Sequence, residues 1–158
     1  MPLRTARHDI ALIAELLTTA ENEARALGDP QPGAEHLLLA AALVDDPSAR
    51  DALGVDGAAV REAIIAVHAE ALAAVSITTN EQAAPLPPAR GVYRSEVSTQ
   101  EVFQRARRLA RRSPTGLRAA HVLIAVAERQ HGTAARVLQR LGLEPASVID
   151  DATAAVTG

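Results

Sequence analysis

The chain has 158 residues, of which 48% are hydrophobic, and a formal net charge of −3, so it has enough apolar material for one domain or two small fused halves. The absence of cysteine excludes disulfides, thiolate metal sites and cysteine nucleophiles. All 16 basic residues are arginine, which excludes a Schiff-base lysine and a P-loop lysine.

Residues 8–75 carry the pattern of four helices, and the first of them is amphipathic. Apolar residues recur at helical spacing over residues 10–27. Asp9 is predicted to cap the start of this helix, and Gly28 lies where a C-terminal cap residue belongs. The segment has no signal-type apolar core, and no apolar run in the chain reaches the ~18 residues that a membrane span needs.

The second helix, predicted over about residues 35–44, is apolar nearly all round. It should therefore be the buried central helix of its unit. A short third helix ends at Leu53-Gly54, and Asp56 is predicted to cap a fourth. Residues 76–94 then lose all periodicity and contain several prolines, which predicts a linker between residues 8–75 and residues 95–156.

The second half repeats the first in a degraded form. The two histidines of the repeated motif are 85 residues apart, and the two Leu-Gly helix ends are 88 apart. Self-similarity of this kind indicates a duplicated unit, so the predicted fold is all-α, with eight helices in two pseudo-symmetric four-helix repeats forming one compact body. The motif is Gly33-Ala34-Glu35-His36-Leu37-Leu38-Leu39 in the first half and Arg118-Ala119-Ala120-His121-Val122-Leu123-Ile124 in the second.

These residues resemble the Clp repeat, which occurs twice in the amino-terminal domain of the Clp unfoldase ATPases, and the ClpC type is the most similar. The resemblance covers about residues 8–156. It implies a double four-helix fold that receives substrates and adaptors for an attached ATPase ring. It is carried by Ala20-Glu21-Asn22-Glu23-Ala24-Arg25-Ala26-Leu27-Gly28, Gly33-x-Glu35-His36, Leu53-Gly54-Val55, Val60-Arg61, Gly132-x-Ala134-Ala135-Arg136-Val137-Leu138 and Leu141-Gly142-Leu143.

The ATPase machinery has no counterpart in the sequence. No Gly-x-x-x-x-Gly-Lys-Ser/Thr loop is present, and no Gly-x-Ser-x-Gly or comparable catalytic signature is found. The chain is therefore expected to be a non-enzymatic module without catalytic residues, cofactor or metal, and free-standing rather than excised from a larger ATPase. A cytoplasmic location is expected.

Three departures from the family pattern matter. The Thr or Ser that precedes Glu-His in the family is Ala34 in the first copy and Ala119 in the second, and losing such a cap costs ~1 kcal/mol, so another group is expected to replace it. Ala120 stands where the second copy would have its glutamate. The aromatic residue that opens each family repeat is missing: Asp9 or Ile10 stands there, and Tyr93 is only an approximate counterpart.

Glu35 is the leading candidate binding residue. The resemblance to ClpC-type domains implies a receptor for phosphorylated arginine, in which this glutamate would hold the guanidinium through two parallel hydrogen bonds. Because Ala120 cannot do the same, at most one such site is expected. The alternative interpretation is a glutamate favoured at the start of a helix by the macrodipole.

His36 and His121 have two interpretations. A metal or proton-transfer role is one, but neither histidine has a second ligand at the right spacing. A structural histidine bonded to the backbone of a turn is favoured.

The fifth predicted helix carries a dense run of arginines. An anion patch for phosphate, nucleic acid or an acidic partner is one interpretation, and a solvated helix face is the other. Nucleic acid is disfavoured because no aromatic stacking platform accompanies the run and because the net charge is negative. The residues are Arg105, Arg107, Arg108, Arg111 and Arg112, with Arg118 close behind.

The function expected from the resemblance is binding. The partners would be Clp-type unfoldase or protease components, adaptors or substrate proteins, or peptide-like small molecules, at surfaces near Glu35 and in the cleft between the halves. The protein would modulate a ClpC-type protease system or sequester its ligands. Cyclic peptides that use the missing aromatic residues in the family are not expected to bind.

Overall fold

The computed structural model describes the backbone of residues 2–79 and 90–158 and the side chains of residues 5–76 and 98–158. These residues form eight helices and no strand, which confirms the all-α prediction. The helices are α1 (Pro2–Ala26), α2 (Ala34–Leu43), α3 (Ser48–Leu53), α4 (Gly57–Thr79), α5 (Arg90–Ala110), α6 (Ala119–Ala127), α7 (Thr133–Arg140) and α8 (Pro145–Thr157).

The core is built around α2 and α6, which pack against each other. Every residue of α6 is buried, and so is nearly every residue of α2. A helix that is apolar on all sides has no face to offer to water, so it lies inside the bundle. The prediction of a buried second helix in each repeat is confirmed.

The two halves pack as a pseudo-symmetric pair. Helix α1 packs on α2 as α5 packs on α6, and α2 packs on α4 as α6 packs on α8. The short third helices are exchanged: α3 lies against α6 and α8, and α7 lies against α2 and α4. Each half therefore completes the core of the other.

The two short helices end in the same way. Gly54 follows α3 with φ of 70°, and Gly142 follows α7 with φ of 71°. This left-handed conformation is strained for any residue with a Cβ atom, which is why a glycine ends each helix. The Leu-Gly ends predicted from the sequence are confirmed in both halves.

The predicted helix starts have mixed outcomes. Asp56 caps α4, because its Oδ1 accepts a hydrogen bond from the Ala59 N–H at 2.9 Å. Helix α1 begins at Pro2, so the prediction that Asp9 caps it is wrong: Asp9 lies inside the helix. Helix α5 begins at Arg90, ahead of the start of the second repeat that was predicted at residue 95.

The linker over residues 76–94 stays a prediction. Its first residues, 76–79, continue α4, and its last, 90–94, belong to α5. Residues 80–89 lie outside the described part of the chain, and so does the side chain of Tyr93.

Candidate functional site

The turns that precede α2 and α6 are held by histidines. The His36 Nδ1 atom accepts a hydrogen bond from the Gly33 N–H at 2.8 Å, and the His121 Nδ1 atom accepts one from the Arg118 N–H at 2.9 Å. Each histidine is the third residue of its helix and reaches back to the residue before the helix, as Glu or Gln does in a capping box. Both histidines are buried, and the structural interpretation is confirmed.

This geometry fixes the tautomer of His36. Since Nδ1 accepts a hydrogen bond, the proton lies on Nε2, which donates to Asp29 Oδ2 at 2.9 Å. Glu35 Oε1 is 3.6 Å from Nδ1, a close approach of two acceptors and not a hydrogen bond. His68 Nδ1 is 3.7 Å from the same Asp29 oxygen. Among the described residues, no group of three or more His, Asp or Glu side chains is arranged to hold a metal ion.

The start of α6 is capped by the other half of the molecule. One oxygen of Asp46, in the loop between α2 and α3, accepts a hydrogen bond from the Ala119 N–H at 2.8 Å. The Ala120 N–H donates to Ser48 Oγ at 3.0 Å. These two side chains replace the cap that Ala119 lacks, and they satisfy helix N–H groups that would otherwise be buried without partners.

The same carboxylate forms a two-point ion pair. Arg118 Nε lies 3.0 Å from Asp46 Oδ2, and Arg118 Nη2 lies 2.8 Å from Oδ1. Burial by itself would raise the pKa of Asp46, but hydrogen bonds from Arg118, the Ala119 N–H and Ser48 outweigh it and lower that pKa to about 2. Asp46 is therefore a fixed anion that joins the two halves.

Two further contacts place the long helices on these turns. Asp9 Oδ1, inside α1, accepts a hydrogen bond from the Leu117 N–H at 3.1 Å, just ahead of α6. In the other half, Thr99 Oγ1 of α5 donates to the Pro32 carbonyl at 2.9 Å, just ahead of α2. Each long helix thus contacts the turn of the opposite repeat.

A cleft opens between the halves beside the Asp46–Arg118 pair. It has a volume of about 460 Å³ and is bounded by α1, the loop between α2 and α3, and the turn before α6. Glu15 Oε1 accepts a hydrogen bond from the Asp45 N–H at 3.0 Å, which fixes the loop against α1. The polar residues of the lining are His8, Glu15, Asp45, Asp46, Thr115 and Arg118.

Glu35 does not line this cleft, although the cleft and Glu35 were predicted together as binding surfaces. Glu35 is in the first turn of α2, and 15% of its side chain is exposed. Among the described residues it has no arginine within ion-pair distance, and the N-cap residue of α2, Gly33, has no side chain to bind the first N–H groups of the helix. At the corresponding place in the second half, Ala120 is fully buried.

The five predicted arginines do not all converge. Arg105 forms a two-point ion pair with Glu128, at 2.8 and 2.9 Å. Within the described residues, the other four have no carboxylate partner. Four of the five share a groove of about 310 Å³ beside the carboxyl end of α5, which is lined by Arg105, Arg108, Leu109, Arg111 and Arg112. Arg107 does not line this groove.

The sequence singled out neither Asp46 nor Thr99 as a contact between the halves. Asp46 belongs to the run Asp45-Asp46-Pro47-Ser48, which indicates only that one helix stops and another begins. Its role at the start of α6 depends on a contact across 73 residues of chain. A local pattern holds no signal for such a contact.

No protein-family model and no curated protein matches the sequence. Among solved structures, the chain is similar to the N-terminal domain of the caseinolytic protease-associated chaperone ClpD from Arabidopsis thaliana. The superposition covers 92% of each chain with a TM-score of 0.62 and 20% sequence identity, so the likeness is one of fold. No helix within the described ranges is long and apolar enough to cross a membrane.

Proposed function

Taking the Clp amino-terminal fold as the premise, we propose that the protein is a non-enzymatic binding module that receives proteins or peptide-like ligands of a Clp-type protease system. The ligands would be substrates, adaptors or components of the unfoldase and protease. The observation that carries the proposal is the polar cleft that both halves build together within this fold.

The dimensions and polarity of the cleft support a peptide ligand. Its volume of about 460 Å³ lies within the range of ~300–1,000 Å³ that is usual for ligand sites. The Asp46–Arg118 pair and the Glu15–Asp45 contact fix its walls, so little ordering is left for the moment of binding. Asp45 is exposed in the lining and is suited to a basic group of a ligand.

Glu35 is proposed as a separate guanidinium contact. Its carboxylate has no arginine partner among the described residues. The Nδ1 atom of His36 beside it accepts a hydrogen bond from the Gly33 N–H, so it has no proton to donate to Glu35. A planar guanidinium would supply the missing positive charge through two parallel hydrogen bonds. The small exposed fraction restricts access to a single side chain.

The cleft is tested by obstructing it. Ala11 lies in the lining and is exposed, so Ala11→Arg would fill the cleft without burying a charge in the core. Ala14→Arg adds the same side chain at an exposed position of α1 outside the lining and is the matched control. Immobilised proteins are incubated with lysate of the source organism, and captured Clp ATPase and protease subunits are quantified by mass spectrometry.

Capture by the wild type and Ala14→Arg, with loss in Ala11→Arg, is the expected result. If the wild type captures no Clp component, the proposed partners are wrong. If Ala11→Arg captures as much as the wild type, the cleft is not the binding surface.

Glu35 is tested by calorimetric titration with phosphoarginine. Glu35→Ala is expected to weaken binding by about tenfold or more, because one partner of a charged hydrogen-bonded pair is removed. Glu21→Ala, at an exposed glutamate of α1, is the control and should bind as the wild type does. Equal affinity in all three proteins would remove Glu35 from the binding site.

A further inference from the structure

The groove at the carboxyl end of α5 is a second charged feature, which shares no lining residue with the cleft and does not include Glu35. Four arginines and one leucine line it, and no acidic residue does. The chain as a whole has a net charge of −3, yet between residues 98 and 113 Glu101 is the only acidic residue beside five arginines. Positive charge is thus concentrated in one place on an acidic protein.

Among the described residues, the carboxylate that pairs with an arginine of the groove reaches Arg105 alone. Glu128 is held by Arg105 in the two-point ion pair, and Glu101 is bound by Arg129 at 2.8 Å. No carboxylate of the described residues lies within ion-pair distance of Arg108, Arg111 or Arg112. Like charges that converge on one groove repel each other, and an anion placed between them would remove that repulsion.

The helix end orders these arginines along a line. The Arg111 N–H donates to the Arg107 carbonyl and the Arg112 N–H to the Leu109 carbonyl, so a hydrogen-bonded turn follows the end of α5 at Ala110. At a rise of about 1.5–2.0 Å per residue, Arg108 and Arg112 are separated by about 6–8 Å along the axis. Alternate residues of an extended peptide are separated by about 6.6 Å, which is nearly the same repeat.

We propose that this groove binds a short acidic segment of a partner protein, in which carboxylates at alternate positions of an extended strand pair with Arg108 and Arg112. Arg105 also lines the groove and is already paired with Glu128. Leu109 is the apolar residue of the lining, and the stem of an acidic side chain can pack against it.

Nucleic acid is the less suitable occupant. Duplex DNA carries one negative charge per ~1.7 Å, and the acidic remainder of the chain would repel such a polyanion. Among the described side chains, Phe103 is the only phenylalanine, tyrosine or tryptophan, and it packs against the core. No phenylalanine, tyrosine or tryptophan ring among the described side chains is therefore free to stack on bases.

The test is fluorescence anisotropy with a short fluorescein-labelled peptide in which Glu and Ser alternate. A peptide with Gln in place of every Glu is the neutral reference. The groove variant is Arg108→Glu with Arg112→Glu. The control variant is Arg107→Glu with Arg136→Glu, which makes the same change of charge at exposed arginines outside the groove.

The groove variant is expected to raise the Kd for the acidic peptide by about tenfold or more, and the control variant by less than about twofold. Circular dichroism of both variants checks that they are folded. If both variants weaken binding equally, the attraction is only that of general charge, and the proposal is wrong. If a labelled single-stranded oligonucleotide binds more tightly than the peptide and is lost in the same variant, the partner is nucleic acid instead.

This proposal is independent of the cleft. The Ala11→Arg variant is expected to bind the acidic peptide as the wild type does, because Ala11 lies in α1 outside the groove. Failure of the peptide test leaves the cleft proposal intact, and failure of the cleft test leaves the groove intact.

Discussion

His36 and His121 make the same hydrogen bond at the starts of α2 and α6, but their second ring nitrogens differ: that of His36 binds Asp29. The Nε2 atom of His121 is buried and has no hydrogen-bond partner within the described part of the chain. The residue 85 positions after Asp29, which binds His36, is Pro114, and proline offers no side-chain acceptor. The two repeats therefore share the capping contact, and the contact with Asp29 has no counterpart at Pro114.

Stability is predicted to depend on pH through His121. Burial lowers the pKa of His121. Below pH ~6.5, His121 therefore binds a proton in the unfolded chain while it is still neutral in the folded protein. The free energy of unfolding should therefore fall as the pH drops from 7 to 5, through the unfolded-state pKa of ~6.5, with a slope of at most ~1.4 kcal/mol per pH unit from this one group.

The variant His121→Gln isolates that contribution. Glutamine can also reach back to the Arg118 N–H but does not titrate, so urea unfolding from pH 7 to 5 should show a shallower slope than in the wild type. His131→Gln, at an exposed histidine, is the control and should keep the wild-type slope. An unchanged slope in His121→Gln would contradict the prediction.

Asp46→Ala is predicted to lower the free energy of unfolding by about 2 kcal/mol. The substitution removes the acceptor for the Ala119 N–H and leaves Arg118 without its partner. Urea unfolding measures the change. Asp45→Ala removes the same charge one residue away at an exposed side chain and should change stability by less than ~0.5 kcal/mol. Similar losses in both variants would show that Asp46 has no special role.

Acid is predicted to remove the same contribution from the wild type. Because the pKa of Asp46 is about 2 in the folded protein and 3.8 as its ordinary value, its stabilising effect is complete above pH 4 and is lost as the pH falls toward 2. The difference between wild type and Asp46→Ala should therefore shrink over this range. A constant difference between pH 4 and pH 2 would be inconsistent with a charged Asp46 as the cap.

Gly54→Ala and Gly142→Ala are predicted to have equal costs. Each glycine has a positive φ, and a Cβ atom at either position meets nothing within 4 Å, so backbone strain is the only penalty. A cost of about 1–2 kcal/mol is expected for each. Chemical unfolding of both single variants measures it, and values that differ by more than about 1 kcal/mol would mean that the two helix ends are not equivalent.

Asp9→Ala is predicted to loosen the contact between α1 and the turn before α6. The substitution removes the acceptor of the Leu117 N–H, and Leu117 is buried, so about 1 kcal/mol should be lost. Hydrogen exchange should speed up at the Leu117 amide. Glu21→Ala, farther along the same helix, should leave that amide as protected as in the wild type.

The sequence was sufficient for the existence of the eight helices and for some of their ends. Hydrophobic periodicity is a local property, so it revealed the eight helices and the all-round apolar character of α2 and α6. The Leu-Gly pairs gave the ends of α3 and α7, because a left-handed residue after a helix is best supplied by glycine. The start of α1 was misjudged, since Asp9 has the side chain of a cap but serves a distant turn.

The sequence predicted the residues of the candidate sites only in part. The run of arginines on α5 is evident in the sequence, but which four of the five share a groove depends on how the helix end packs. Glu35 was found through a family resemblance, and its limited exposure is set by the residues around it.

The sequence alone thus determined the number of helices and which faces are apolar, although not where α1 and α5 begin, because periodicity follows from interactions between residues a few positions apart. The tertiary structure alone decided that α3 and α7 change places and that Asp46 caps a helix 73 residues away. A cap needs only an oxygen atom at the right point in space, and any part of the chain can supply it. The position of that oxygen is fixed when the two halves pack, and no local pattern records it.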